Sequence, residues 1–205
     1  MNSECLQPDS PLYPAALKTG QTPAVNLQTI GNQQLLAASK TAVLCSRQCP
    51  GEVILRLFDL ARRLRASDLT FIGGFHTPAE RDFLHHLLSG SCRLIVCPAR
   101  RLEGMRVPAV WQEAISAQRM LLLSPFTAES QRRQSARLAE RRNELVVALA
   151  DQILLLHAAP GSHTEQLLRA AQQKPWLTLT PDDETLCRQL LREFHPIKES
   201  SARDA

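Results

Sequence analysis

The stretch "LTFIGGFHTPAERDFLHHLLSG", residues 69–90, decides the fold because it contains a complete strand, turn and helix. Its first five residues form an apolar run, which is typical of a strand buried on both faces. After the two glycines, Thr77 and Glu80 match a capping box, and Pro78 takes the first helical position. The apolar face of this helix consists of Phe83, Leu84, Leu87 and Leu88, and Gly90 ends it. The stretch therefore predicts one strand–turn–helix unit of an α/β protein.

Similar apolar runs occur on both sides of this unit. They are "TAVLC" (41–45), "RLIVC" (93–97), "MLLLS" (120–124), "QILLLH" (152–157) and "WLTL" (176–179). The segments between them have helical spacing, as in Val53, Ile54, Leu57, Leu60, Ala61 and Leu64. This alternation predicts an α/β fold with a Rossmann-like, doubly wound, mostly parallel sheet of about six strands. Such sheets bind ligands at the carboxyl ends of their strands, where the strand order reverses, so we expect function in the strand-to-helix loops.

The length of 205 residues suits one core with short appendages. Residues 1–37 are rich in Pro, Gln and Asn, and they predict an irregular N-terminal arm that packs on the core through Leu12 and Tyr13. Residues 38–195 form the predicted Rossmann-like domain. The last residues, 196–205, are expected to be a disordered tail.

The chain carries a net charge of +4, and its positive charge comes mainly from arginine. Between Arg100 and Arg142 there are nine arginines and four glutamates, so the basic character is local. A local excess of arginine is typical of a surface that contacts phosphates. A solvated, arginine-rich surface is the alternative interpretation.

The sequence offers no recognisable catalytic or metal-binding motif. Its six cysteines contain no CxxC pair and no zinc-type spacing, which favours free thiols in a reducing cytoplasm. Neither a G-x-S-x-G elbow nor an H-E-x-x-H helix is present. We therefore expect no catalytic residue, no metal and no cofactor, and we expect a binding protein rather than an enzyme. No signal peptide or long apolar span is visible, so no membrane association is expected.

Four loops supply the candidate phosphate-binding residues. These are Ser46, Arg47, Gly73, Gly74, Phe75, His76, Arg141, Arg142, Asn143, Gly161, Ser162, His163 and Thr164. In the first loop, a hydroxyl and a guanidinium precede a helix start and can converge on one anion, although Ser46 could equally be a turn residue. In the second loop the glycines allow close backbone approach. There Phe75 either stacks on a base or anchors the loop, and His76 is either a ligand or a surface residue.

The remaining two loops have the same two interpretations. The Arg-Arg-Asn cluster, 141–143, either binds phosphates at the strand ends or forms a solvated helix face. In "PGSHTEQ" the N-terminus of a helix favours an anion, because its N–H groups are unpaired there. The same residues can simply cap that helix, with Ser162 as N-cap and Glu165 as its partner, and both roles are compatible.

Taken together, these loops resemble the Rossmann-like core of the DprA/Smf DNA-processing family, within the superfamily that includes the LOG proteins. The family's lead-in before its first strand matches Tyr13, Pro14, Pro23, Gly31 and Asn32. Its Gly-Ser-Arg falls on 45–47, its glycine turn with a downstream acid on "IGGFHTPAERD", its Arg-Asn-Arg helix on "RRNELVVALAD", and its Gly-Ser-x-x-Thr loop on "PGSHTEQ". This sequence differs from the pattern at Cys45, at Glu144 and at "HTPAERD", which replaces Gly-Ile-Asp.

The resemblance implies single-stranded DNA binding, a homodimer and, in bacteria, the loading of a recombinase during transformation or repair. It further implies that one phosphate pocket is lined by Ser46, Arg47, Gly73, Gly74, Arg142, Asn143, Gly161 and Ser162. Two alternatives remain. One is a nucleotide or phosphoribosyl ligand in the same pocket, as in the LOG branch, with Glu165 as the candidate acid of a weak hydrolase. The other is a degenerate scaffold that has lost its ligand, which Cys45 and Glu144 favour.

Overall fold

Strands and helices alternate along the chain in the computed structural model, which describes residues 2–18, 25–126, 135–179 and 183–192. The strands are β1 (Glu4–Leu6), β2 (Leu27–Gly31), β3 (Lys40–Cys45), β4 (Thr70–Gly73), β5 (Arg93–Val96), β6 (Met120–Ser124), β7 (Gln152–His157) and β8 (Trp176–Thr178). The α-helices are α1 (Gly51–Leu64), α2 (Pro78–Leu88), α3 (Ala109–Ser116), α4 (Ala136–Leu149), α5 (His163–Ala170) and α6 (Asp183–Arg192). Short 3-10 helices cover Ala15–Leu17 and Gln33–Ala37.

The strands form one sheet in the order β1-β2-β6-β5-β4-β3-β7-β8. The six strands from β3 to β8 are mutually parallel and coincide with the six apolar runs, which confirms the predicted fold class. The sheet has eight strands rather than six, because β2 pairs antiparallel with β6 and β1 pairs antiparallel with β2.

The description of residues 1–37 as irregular was therefore wrong for both strand segments. The pairing is long-range, since Thr29 lies opposite Leu123, and local composition carries no sign of it. Tyr13 of the same segment is buried on the core, as expected. The division of the chain at residue 38 stays a prediction, and the tail 196–205 lies outside the described residues.

The sheet separates two apolar cores, and alternate residues of each strand enter opposite ones. In β3, for example, Val43 and Cys45 enter one core, whereas Ala42 and Leu44 enter the other. Helices α1, α2, α3 and α6 cover the first face, and α4 and α5 cover the second. Parallel strands covered on both faces explain why the strand sequences are continuously apolar. Among the helices described here, none is long and apolar enough to cross a membrane.

Candidate functional site

The strand order reverses between β3 and β7. From β3 the chain proceeds through β4 and β5 to β6 on one side, whereas β7 and β8 lie on the other side. The loops that leave the carboxyl ends of β3 and β7 therefore diverge and leave a crevice between them. The sequence predicted function at this position, and both loops carry candidate residues.

Ser46 joins these two loops. Its amide donates to the carbonyl of His157 at 2.8 Å, and its Oγ accepts the amide of Ala159 at 2.9 Å. The same Oγ lies 2.9 Å from Oγ of Ser162. Only 3% of Ser46 is exposed, so its hydroxyl connects the loops instead of facing solvent.

The loop "PGSHTEQ" is a capped helix start. Ser162 Oγ accepts the amide of Glu165, which confirms the predicted N-cap. The Glu165 carboxylate in turn accepts the amide of Gly161 at 2.7 Å and pairs with Arg169 at 2.8 Å. The Gly161 amide and the Arg169 guanidinium lower the pKa of Glu165. One amide of the predicted phosphate loop is thus already bound by the chain's own carboxylate.

The next two residues of this loop belong to the α5 surface. His163 places Nε2 3.1 Å from Oε1 of Glu140 on α4, so its imidazole faces a carboxylate. Thr164 is half-buried in the first turn of α5. The acidic neighbours make this side of the crevice less favourable for an anion than the sequence predicted.

The turn after β4 is organised around a buried carboxylate. Glu80 is 6% exposed, and its Oε1 accepts the amide of Cys45 at 2.9 Å. Its Oε2 accepts the amides of His76 at 2.9 Å and Thr77 at 3.3 Å. Burial raises the pKa of Glu80, and the amide of His76 and the charge of Arg142 oppose that rise. The capping box was predicted, but the bond to the end of β3 was not.

Phe75 anchors this turn in the core. It is buried with φ 46°, and its ring packs close to Gly73, where an added Cβ would lie 3.1 Å from the ring. Of the two predicted roles for Phe75, anchoring is the one that the structure supports, because a buried ring offers no face to a base.

Arg142 lies beneath the same turn. It is 3% exposed, its Nη1 donates to the carbonyl of Cys97 at 3.0 Å, and its Nε donates to Oδ1 of Asn143 at 2.7 Å. The guanidinium packs against Gly74, where an added Cβ would overlap it. The sequence predicted that a ligand can approach the backbone closely at Gly74. In the structure the Arg142 guanidinium occupies that space.

The helical period explains why the Arg-Arg-Asn cluster is divided. Arg142 lies on the apolar stripe of α4, which continues with Leu145, Val146 and Leu149. Arg141, about 100° away around the helix, is exposed. A charged residue on an apolar stripe was the signal that could have identified Arg142, and also Glu80, as buried residues.

His76 is exposed in the turn between β4 and α2. The pKa of His76 is lowered mainly by partial desolvation of its imidazole. The positive charges of Arg142, Arg81 and Arg47 lower it further. Arg47 and Arg81 are exposed, and neither forms an ion pair with any other described residue. Arg81 was not among the predicted site residues, although it lies within "IGGFHTPAERD".

Much of the remaining arginine excess has protein partners. Arg101 pairs with Glu103 at 3.6 Å, and Arg119 donates to the carbonyls of Leu88 and Cys92. Arg132 and Arg133, which contribute to the predicted basic segment, lie outside the described residues. The basic segment is therefore a less uniform surface than its composition indicates.

Cys45, which replaces the family glycine, has its side chain in the core and not in the open crevice. Burial raises the pKa of this thiol well above its usual range, so it stays protonated. No group of three His, Cys, Asp or Glu side chains suited to a metal ion occurs within the described ranges.

Fold and site together define a doubly wound α/β protein with exposed arginines on the segments that follow β3 and β4. The family model of DNA recombination-mediator protein A matches residues 4–184, and the chain belongs to this family.

Two solved structures share the fold. DNA processing protein A from Helicobacter pylori, described for its single-stranded DNA binding mode, is 20% identical with a TM-score of 0.75, covering 95% of this chain and 98% of that chain. DNA processing protein A from Streptococcus pneumoniae is 18% identical with a TM-score of 0.69, covering 93% of this chain and 69% of that chain. No curated protein matches the sequence significantly.

Proposed function

We propose that this protein binds the phosphate backbone of single-stranded DNA at the carboxyl ends of β3 and β4, beside the strand-switch crevice, in DNA processing or recombination. The observation that carries the proposal is that Arg47, His76 and Arg81 are all exposed on the segments that follow β3 and β4, and that the Glu80 carboxylate bonds these two segments together. Guanidinium groups suit bidentate contacts with phosphate oxygens. Membership of the DNA recombination-mediator protein A family and the DNA-binding relative from Helicobacter pylori support the same ligand.

The proposal assigns two roles to the predicted site residues. Arg47, His76 and Arg81 are exposed and contact the DNA. The other residues are buried or hydrogen-bonded to groups of the protein, and they hold the loops that carry these contacts. These residues are Ser46, Gly73, Gly74, Phe75, Arg142, Asn143, Gly161 and Ser162. Arg141, His163 and Thr164 lie at the margin of the interface.

The wider biology of the proposal comes from the family alone. We propose that the protein acts by binding and not by catalysis, as a homodimer in the cytoplasm, and that it delivers DNA to a recombinase. A homodimer would double the number of phosphate contacts along one strand and so strengthen binding without any new type of contact.

Salt-dependent binding tests the site. We expect fluorescence anisotropy with a labelled oligothymidine to show affinity that falls steeply with salt concentration, because bound phosphates release counterions. The slope of log K against log salt concentration is negative, and Arg47→Ala should make it shallower by about 0.7, the value for one phosphate contact on a single strand. Arg81→Ala should act in the same way.

The matched control is Arg63→Ala. Arg63 is an exposed arginine in the last turn of α1, at the opposite end of that helix from the crevice. Equal losses in all three variants would show a non-specific surface effect and refute the site. An absence of binding at low salt, or stabilisation by mononucleotides but not by oligonucleotides, would refute single-stranded DNA as the ligand.

A further inference from the structure

We propose that Glu80 is a positioning residue that holds the Arg47 loop and the His76 loop in the relative arrangement that DNA binding requires. This inference rests on the proposed function. Its basis is that one buried carboxylate accepts hydrogen bonds from the backbone of both loops.

The two carboxylate oxygens are divided between the loops. Oε1 accepts the amide of Cys45, two residues before Arg47, at 2.9 Å. Oε2 accepts the amide of His76 at 2.9 Å and that of Thr77 at 3.3 Å. A backbone amide that is bound two residues before a side chain limits where that side chain can reach. Glu80 therefore couples the positions of two exposed cationic contacts.

Helix capping alone does not account for this arrangement. A capping box requires one bond from the acidic residue to the N-cap amide, which here is the bond to Thr77. The bonds to Cys45 and His76 are additional, and the bond to Cys45 crosses from α2 to the end of β3. Burying a carboxylate is unfavourable unless its hydrogen bonds are satisfied, so these bonds fix the loops strongly.

The direction in which DNA affinity changes distinguishes a positioning role of Glu80 from an effect of its negative charge alone. Glu80→Gln removes a negative charge from the neighbourhood of an anion site, and Coulomb attraction alone would then make DNA binding tighter. The glutamine also has only one acceptor oxygen, so its amide group must face a backbone N–H at Cys45 or His76. Positioning therefore predicts weaker binding, against the electrostatic trend.

The experiment compares DNA affinity and salt slope for the wild type, Glu80→Gln, Glu80→Asp and Glu113→Gln. Glu113 is an exposed carboxylate on α3 and serves as the charge control. We expect both Glu80 variants to bind about tenfold more weakly, as for the loss of a hydrogen bond to a charged group. Glu113→Gln should bind as tightly as the wild type or slightly more tightly. Stoichiometric titration gives the active fraction, so partial unfolding does not count as weak binding.

A double variant connects Glu80 with the contact that it positions. Because Glu80 positions Arg47 as well as His76, Glu80→Gln combined with Arg47→Ala should lose less binding free energy than the sum of the two single losses, since coupled residues give non-additive effects. Additive losses, or unchanged or tighter binding by Glu80→Gln, would overturn the inference even if Arg47→Ala behaves as proposed.

Two safeguards keep the test decisive. If Glu80→Gln does not fold, Glu80→Asp keeps the charge but withdraws the carboxylate from Cys45, and wild-type affinity in that variant would refute positioning. In the unmodified protein, hydrogen exchange should show protected amides at Cys45 and His76, and rapid exchange at either amide would overturn the inference as well. Failure of the wild type to bind DNA would overturn the proposed function itself.

Discussion

Replacing Gly74 by alanine should destabilise the protein strongly, although alanine is usually the more stable residue. A Cβ at position 74 would lie 2.6 Å from Nε of Arg142 and closer still to Cζ and Nη1. The guanidinium is almost completely buried, so it can leave only by giving up its bond to the carbonyl of Cys97. It would also move away from the Glu80 carboxylate, whose charge it offsets.

The magnitude follows from these losses. A hydrogen bond to a charged group contributes about 1.5–3 kcal/mol, and a buried polar group left without its partner costs about 1–3 kcal/mol. Partial relaxation of the loop makes about 3 kcal/mol the expected loss in free energy of unfolding. For a chain of 205 residues this corresponds to a decrease in Tm of about 6–12 °C.

Thermal unfolding followed by circular dichroism measures this effect, and Gly51→Ala is the control. Gly51 begins α1, and an added Cβ there meets no atom within 4 Å. That variant should be neutral or stabilised by up to about 1 kcal/mol. A Tm for Gly74→Ala within 1–2 °C of the wild type, about the effect of a few tenths of a kcal/mol, would show that the turn does not pack on Arg142.

Two further predictions concern pH. In the free protein the pKa of His76 is lowered from its ordinary value of 6.5, and a bound phosphate favours the imidazolium, so DNA binding should take up protons and tighten as the pH falls through the pKa that His76 has in the complex. Anisotropy titrations over pH should show this trend weakened in His76→Ala and retained in His85→Ala; the same trend in all three proteins would exclude His76 as its source. The lowered pKa of Glu165 implies stability that is present above its ordinary value of 4.5 and lost as the pH falls through its folded value. Glu165→Gln should therefore have a lower Tm than the wild type at neutral pH and an equal Tm in strong acid, and a difference that is independent of pH would contradict this.

The sequence predicted the parallel part of the sheet because buried strands and capped helices leave local patterns. The six apolar runs and the Thr77 and Ser162 caps depend on neighbouring residues, so they could be recognised without tertiary information. Strands β1 and β2 could not, because β2 depends on pairing with β6, which lies about ninety residues later in the chain, and β1 pairs in turn with β2.

The sequence proposed four loops as the candidate site, but it did not predict which of their side chains are buried and which are exposed. A motif places a residue on a loop and gives no information about whether its side chain is buried. Arg142 and Glu80 carry charges at positions of apolar stripes, and tertiary packing placed both against buried protein partners. Arg81 lies within "IGGFHTPAERD", where no local pattern distinguishes it from the neighbouring charged residues of α2.

The antiparallel pairing of β2 with β6 also affects the solubility of the folded chain. β6 is the sequence "MLLLS", and all five of its residues are buried between β5 and β2. Without β2 it would be an open, flat and apolar edge, the kind that recruits strands from other molecules. Residues 27–31 thus cover this apolar strand edge, and cleavage that releases the N-terminal segment should produce a protein prone to aggregation even with the crevice between β3 and β7 intact.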